Sequence, residues 1–480
     1  MESTYENLCF LKRDELGRIH SSTLRVLEET GVRVDEENAL RLLDDAGATV
    51  DFERRIVKIP ESLIEELIKK ARRCVRLCGR NSKHDLILGE GKIYIMTSST
   101  GTRVLDMDTG EVRPSTKKDV ADSARLADAL KNFHVYSIMV DALDYPDEIM
   151  GLEEIDAMFN NTEKHIDTGA QSTLGARDSI CMAAAVAGGF EELRKRPIID
   201  FMQNPVSPLI HNREDTEAIL ECAKHEIPII VLNMAQAGGT SPITIAGTLS
   251  VTNAEVLSGM LIAYLTNPNV PLIYGTSSIV LEMKNLSEPS IFGLIEDGLI
   301  ASGAAQLAKH YGFPSVVNGF GGSWSELDDE RIGFSGEIMT MLPPLAKADI
   351  LYNGGLIENS MTLSYEDMVI SNEVAGMVFR GMKGIEVNKE TLAEDVIHKV
   401  GPGGNFLTEK HTVEHLRKEI FIAEIFDKPN MNDIREAAKK KAKHLLNTHQ
   451  PEPLDKSVQE ELRRIVKEAW KRKDRRKQKP

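Results

Sequence analysis

His411-Thr412-Val413-Glu414-His415 carries an H-x-x-E-H arrangement. On a helix that spacing puts two imidazoles on one face, where they could hold zinc while the glutamate activates water. The pattern follows the glycine-rich Gly401-Pro402-Gly403-Gly404-Asn405-Phe406-Leu407 and stands apart from the other candidate residues. Two histidines on a packing or surface helix account for it better, and no metal ion is expected. Cys74 and Cys78 are four apart with no second pair at zinc spacing, while Cys181 and Cys222 fall in helical stretches as small core residues. With Cys9 the cysteines number five, odd and scattered, which points to reduced thiols. A phosphate-cradling G-x-x-x-x-G-K-[ST], a strand-following G-x-G-x-x-G and a G-x-S-x-G nucleophile elbow are all missing.

The richer collection is neutral. Amides (Gln171, Gln203, Asn204, Asn233, Gln236, Asn318, Asn353), hydroxyls (Thr168, Ser172, Thr240, Ser241, Thr276, Ser277) and aromatics (Tyr274, Phe320, Trp324, Tyr352) recur just after short apolar runs. The nearest carboxylates are Asp167, Asp200, Glu326, Asp328 and Glu358. Proton-transfer enzymes usually display His or Lys at such places. An amide and aromatic set suits a reaction that needs shape and desolvation and moves few protons. A single Asn or Gln at a strand end is more often a backbone cap, so the accumulation carries the functional reading.

The apolar runs are the elements that must position these residues. Seven are clear: Val135–Val140, His165–Ala170, Ile198–Met202, Ile229–Asn233, Leu272–Tyr274, Ser315–Asn318 and Ile350–Asn353. An eighth is either Ile93–Met96 or a weaker segment after Gly384. Helix-length stretches separate them, which predicts an α/β fold, a closed (β/α)8 TIM barrel whose chemistry sits at the strand C-terminal ends. Residues 1–115 read as a cap, with helical periodicity over 13–46 and 61–73 and an antiparallel meander of 85–88, 93–96, 102–106 and 111–113. Residues 116–405 read as the barrel and 406–480 as a helical extension with a basic tail.

A net charge of −16 argues against nucleic acid as a partner. Residues 463–479 hold ten Lys or Arg against Glu468 and Asp474, leaving −24 on the rest. Leu462, Ile465, Val466, Ala469 and Trp470 form an apolar stripe in that tail, and a solvated helix with a frayed end is expected there. The apolar runs fall short of the ~18 residues of a membrane span, and MESTYENLCF lacks the regions of a secretory leader. A cytoplasmic location with no membrane association is expected.

Several segments resemble the trimethylamine methyltransferase family, the MttB superfamily. They are Leu27-Glu28-Glu29-Thr30-Gly31-Val32, Asp108-Thr109-Gly110-Glu111-Val112-Arg113-Pro114, Gly238-Gly239-Thr240-Ser241-Pro242-Ile243-Thr244-Ile245-Ala246-Gly247 and Val400-Gly401-Pro402-Gly403-Gly404-Asn405-Phe406-Leu407 with His411-Thr412. The resemblance runs in order over about residues 10–450 and sets the zinc reading aside. It implies methyl transfer to the Co(I) of a partner corrinoid protein, with no cofactor bound permanently to this chain. Members that act on trimethylamine carry pyrrolysine in the loop matching Gly321–Asp329, where Glu326 stands near that position here. The chain therefore looks like the non-pyrrolysine branch, whose substrates are quaternary amines such as glycine betaine, proline betaine and carnitine.

A quaternary ammonium leaves as a neutral tertiary amine, so no proton has to be supplied. On this reading the catalytic residues are Glu326, as a nearby counter-charge, and Tyr352, as an aromatic face for the cation. Gln171, Asn204, Asn233, Gln236, Tyr274, Ser277, Asn318, Phe320, Trp324, Asn353 and Glu358 are the expected substrate contacts. The competing class is a non-catalytic barrel that binds a small cationic ligand. Self-association into a homo-oligomer is expected on general grounds.

Overall fold

The computed structural model describes residues 9–97, 100–170, 172–281, 295–320, 337–358, 360–426 and 434–477. Eight parallel strands close into a barrel: β1 (Tyr94–Thr97), β2 (Val135–Ser137), β3 (His165–Thr168), β4 (Ile199–Gln203), β5 (Ile229–Asn233), β6 (Leu272–Thr276), β7 (Ser315–Asn318) and β8 (Ile350–Gly354). They follow one another around the wall in chain order, and β8 closes onto β1 through Ile350↔Tyr94 and Leu351↔Ile95. All five residues of β5 are buried, as a parallel strand sandwiched between a barrel interior and a helix layer requires. The eighth strand is thus the 93–96 alternative, and it lies within the stretch read as a cap. The segment after Gly384 forms short helices instead, Lys389–Leu392 and Glu394–Val400.

Each strand leads to a helix: α1 (Lys117–Ala129), α2 (Asp147–Asn161), α3 (Thr173–Ala187), α4 (Arg213–Lys224), α5 (Ile245–Thr266), α6 (Ile295–Tyr311), α7 (Glu337–Leu345) and α8 (Tyr365–Met382). Local chemistry starts them where the barrel needs them. The Asp119 carboxylate accepts from the Thr116 amide and hydroxyl at 3.0 and 2.7 Å, and Arg113 grips it with two more bonds. Asn212 and Ser364 cap α4 and α8 through the Asp215 and Asp367 amides. Within α5 a window long and apolar enough to cross a membrane is 72% buried in the fold. Helices Arg13–Arg25, Glu37–Asp45 and Glu61–Lys70 cover it.

The expected meander over 85–113 does not form. Leu86–Leu88 pairs with Val75–Leu77, β1 joins the barrel, and Arg103–Leu105 pairs with Val112–Pro114. Short alternating segments announce strands but leave partners open, which long-range burial then decides. The hairpin Val75–Leu77/Leu86–Leu88 shares one buried cluster with Tyr94, Val135, Ile230, Ile273, Val316 and Ile350, near the strand starts. It plugs the N-terminal end of the barrel, leaving chemistry to the C-terminal end. Helical periodicity over 13–46 is also interrupted, because Val32–Val34 forms a strand between Ile56–Lys58 and Ile210–His211.

The C-terminal tail docks. In the helix Lys456–Lys477, Leu462 is fully buried and Ile465, Val466 and Ala469 nearly so, against α2 and α3. The Trp470 indole donates to Glu153 at 3.4 Å, and Lys473 lies over the Trp470 ring and pairs with Glu148 at 3.2 Å. The solvated tail expected from its charge is corrected here: four apolar side chains at helical spacing outweigh the basic face, whose Arg472 and Lys473 find acidic partners on the barrel helices.

Candidate functional site

Two faces of the strand ends separate by alternation. The outer face packs on the helix layer and takes two residues expected at the site. Tyr274 is fully buried there, its hydroxyl donating to Asn253 Oδ1 of α5 at 3.2 Å, and burial pushes its phenol well above the ordinary range. Asn233 donates to Glu255 of α5 at 3.0 Å and accepts from the Thr276 and Ser278 hydroxyls at 2.8 and 2.9 Å. Glu255 also accepts from the Ser207 hydroxyl and the Leu209 amide at 2.7 and 2.8 Å, so this network fixes the loop after β4. Tyr274 and Asn233 therefore position the wall. The physical reason is period two: one step in register moves a side chain from lumen to helix layer.

The inner face holds Asn318 at the end of β7, in register with Tyr352 of β8. Tyr352 belongs to the barrel-interior cluster and is 5% exposed. Asn318 is fully buried, and neither atom of its amide has a hydrogen-bond partner among the described residues. Asn204, just past β4, likewise has an unpartnered, buried Oδ1. A buried amide without partners costs about 1–3 kcal/mol per orphaned group, a cost a ligand can relieve.

Other expected contacts sit close by with settled partners. Asn353, at a φ of +95°, accepts from the Ser360 hydroxyl at 3.1 Å. Glu358 accepts from Thr362 at 2.6 Å and pairs with Arg103 at 3.1 Å, which occupies its charge. Ser277 is buried and its amide donates to the Asn233 carbonyl, while Phe320 is buried with its amide on the Tyr352 carbonyl. Gln236 begins a two-residue strand that pairs with Ile279–Val280. Gln171, Trp324 and Glu326 lie outside the described residues.

Below this level the lumen carries a polar chain whose character the sequence reading missed. Register sets Ser137, Asp167 and Asp200 side by side on β2, β3 and β4. The Ser137 hydroxyl donates to Asp167 Oδ2 at 2.5 Å. His165 Nε2 lies 3.0 Å from Asp200 Oδ2, and its Nδ1 lies 2.9 Å from the Cys78 carbonyl of the plug. Among the described residues, Oδ1 of each aspartate lacks a conventional donor. With a proton on each acid every link has a donor: Asp167 would donate to Asp200, Asp200 to His165 Nε2, and His165 Nδ1–H to the Cys78 carbonyl. Burial drives this state, raising Asp167 well above and Asp200 to about 7, and lowering His165 to about 4. The whole chain is then neutral. The available signal was an aspartate in the middle of each of two otherwise apolar strands, His165-Ile166-Asp167-Thr168 and Ile199-Asp200-Phe201. An added Cβ at Gly169, two residues after Asp167, would meet only the Met202 carbonyl oxygen, at 3.8 Å, so space opens above the chain.

Among the described residues no group of three or more His, Cys, Asp or Glu could hold a metal ion. His411 and His415 stack at 4.2 Å, with His415 on the Glu390 carboxylate and His411 on its carbonyl.

The closed barrel with a plugged base and amide-lined, aromatic strand ends is the frame of an α/β-barrel enzyme. Residues 1–475 match the family model described as trimethylamine methyltransferase (MTTB). The chain is 36% identical over 463 residues to the trimethylamine methyltransferase MttB of Desulfitobacterium hafniense (strain DSM 10664 / DCB-2), covering 95% of this chain and 93% of that one. It is 34% identical to the MttB of Methanosarcina barkeri (strain Fusaro / DSM 804), covering 95% and 94%. It is 30% identical to the glycine betaine methyltransferase of Desulfitobacterium hafniense (strain Y51), covering 96% and 97%. The Methanosarcina barkeri monomethylamine methyltransferase (MtmB) structure shares the fold, with a TM-score of 0.55, 15% identity and coverage of 91% and 88%. The chain belongs to the trimethylamine methyltransferase family and is a methyltransferase.

Proposed function

We propose that this enzyme removes a methyl group from a betaine-type quaternary amine and passes it to a corrinoid held by a partner protein. The observation that carries this reading is the Asn318 amide, fully buried and without a partner among the described residues, beside Tyr352. A betaine has a cationic end that makes no strong hydrogen bond and an anionic end that demands a donor. Tyr352 offers an aromatic face to the first, worth roughly 0.5–2 kcal/mol. Asn318 Nδ2–H can donate to the carboxylate while its carbonyl dipole faces the N-methyl groups. A sequence of standard residues only, with Glu326 near the pyrrolysine position of the trimethylamine enzymes it resembles, supports the quaternary branch.

The corrinoid supplies the nucleophile when the partner docks at the barrel mouth. This chain's residues orient the substrate and exclude water. As the methyl carbon is taken, the C–N bond breaks and its electron pair stays on nitrogen, so a neutral tertiary amine departs and no proton is consumed. The neutral Ser137–Asp167–Asp200–His165 chain suits that balance, because an ionised lumen would hold the cation more tightly than the transition state, in which its charge fades. Glu326 and Trp324 complete the proposed site as counter-charge and second aromatic face, with Gln171, Asn204, Gln236 and Ser277 as polar contacts.

Incubation with free cob(I)alamin and glycine betaine, proline betaine, carnitine or trimethylamine in turn tests the proposal. Methylation of the corrinoid, followed by absorbance, is expected with one of the first three. Methylation with trimethylamine alone would refute it.

A further inference from the structure

A (β/α)8 barrel fills its interior with layers of four side chains drawn from alternate strands. Because the strands tilt, residues at one height climb one position per strand relative to the hydrogen-bonded register. That geometry sets Asp167 level with Ile230, Val316 and Met96, the last three in the interior apolar cluster. One step higher it sets Ser137, Met202, Gly275 and Tyr352 level, and the climb closes on itself around the eight strands. The lower layer is full. In the upper one Met202 and Tyr352 face each other from β4 and β8, while β2 gives only a serine and β6 a glycine. A Cβ at Gly275 would meet Leu232 Cβ at 2.8 Å, so Leu232 of β5 takes that side and no larger residue fits. The Ser137 hydroxyl turns down to Asp167, away from the space above it. Met202, Leu232 and Tyr352, all in the interior cluster, therefore bound a small apolar slot over Ser137 that opens upward at Gly169.

We infer that Met202 is the second wall of the head-group site, so that the substrate's methylated nitrogen lies between its thioether and the Tyr352 ring. This rests on the quaternary-amine reading above and names a residue that the reading lacks. A quaternary nitrogen spreads its charge over methyl groups that offer no strong hydrogen bond, so polarisable and aromatic surfaces hold it best. Met202 supplies the first and Tyr352 the second, with Met202 6% and Tyr352 5% exposed. Asn318 stands one step above this layer on β7, where its amide reaches the other end of a betaine. The slot also orients the reacting bond. The Asp167 layer closes it below and the two walls take N-methyl groups from the sides. One N–CH3 bond is left pointing up the barrel axis, toward the mouth where the acceptor arrives. Holding that bond in line raises the rate as well as the affinity.

Met202→Ala and Met202→Leu in the full-length protein test this, with tetramethylammonium chloride as a ligand that is all head group. By calorimetry, M202L should bind it within about 3-fold of wild type, since Leu keeps the wall's volume. M202A should bind at least ~10-fold more weakly. With whichever of glycine betaine, proline betaine or carnitine the wild type demethylates, M202A should also lower kcat for cob(I)alamin methylation at least ~10-fold, and M202L should restore it. An M202A that matches wild type in affinity and kcat overturns the inference. So does a variant that changes only the melting temperature. If M202A does not fold, carbon-13 methyl spectra of wild type decide, with the Met202 signal identified by its loss in M202L. A Met202 methyl shift that follows added tetramethylammonium supports the wall, and an unmoved signal refutes it. A wild type that demethylates no quaternary amine sinks the functional reading itself, whereas an active wild type with an indifferent M202A sinks the wall alone.

Discussion

At the residue scale, the division between lumen and helix layer separates two tyrosines of adjacent polar neighbourhoods. Tyr352 lies among lumen residues, so Tyr352→Leu keeps bulk and removes the aromatic face. Methyl transfer should fall at least ~10-fold, equivalent to ~1.4 kcal/mol, with the thermal midpoint little changed. Initial rates beside a melting curve check this, and a wild-type rate would move the cation elsewhere. Tyr274→Phe should do the reverse: rate unchanged, stability lower by about 1 kcal/mol, because only the bond to Asn253 is lost. The neutral polar chain makes a third prediction. In Asp200→Asn the new amide still donates to His165 Nε2 and its carbonyl still accepts from Asp167, so urea unfolding should change by less than about 1 kcal/mol. Asp200→Ala leaves Asp167 and His165 facing a void and should cost on the order of 3 kcal/mol. Equal losses in the two variants would show that the pair is ionised.

Among the elements, α1 is held to β3 by a buried lysine. Lys164 Nζ donates to the carbonyls of Ala127 and Leu130 at 2.6 and 2.8 Å, satisfying groups that every helix end leaves open. Burial lowers its pKa to about 8, yet the neutral amine can still donate. Lys164→Met removes both bonds and should lower stability by roughly 2–4 kcal/mol, read by urea unfolding. A change within about 0.5 kcal/mol would mean that water replaces the ammonium. The fold's elements were legible from apolar runs because burial on both faces leaves a parallel strand few other compositions. Their partners were not. The strand 86–88 plugs the barrel and 94–97 builds its wall, although both read as one meander, because alternation states how a strand faces and not what it faces.

For the whole molecule, opposed buried groups shape the pH dependence of stability. Burial holds His165 and His211 near 4, below the ordinary 6.5. The unfolded chain therefore binds more protons between those values, and their contribution is lost as pH falls from about 6.5 to 4. Glu154 is raised by burial from 4.5 to about 8, so its contribution is present below 4.5 and lost as pH rises through 8. His211→Gln should flatten the acid limb of a plot of thermal midpoint against pH, and Glu154→Gln the alkaline limb, since the Gln carbonyl can still accept from Ala142. Parallel curves for wild type and both variants would contradict these assignments.

The sequence by itself determined the eight-stranded barrel and the family, because each depends on local composition in order along the chain. It also supplied Tyr352 and Asn318, whose place at strand ends follows from where the apolar runs stop. Tertiary structure alone decided that Tyr274 and Asn233 turn to the helix layer, that Asp167, Asp200 and His165 meet across two strands, and that the basic tail docks against the barrel helices. Each of these turns on register or on which surface covers another. Such relations join residues distant in sequence, and the pattern of any one segment does not contain them.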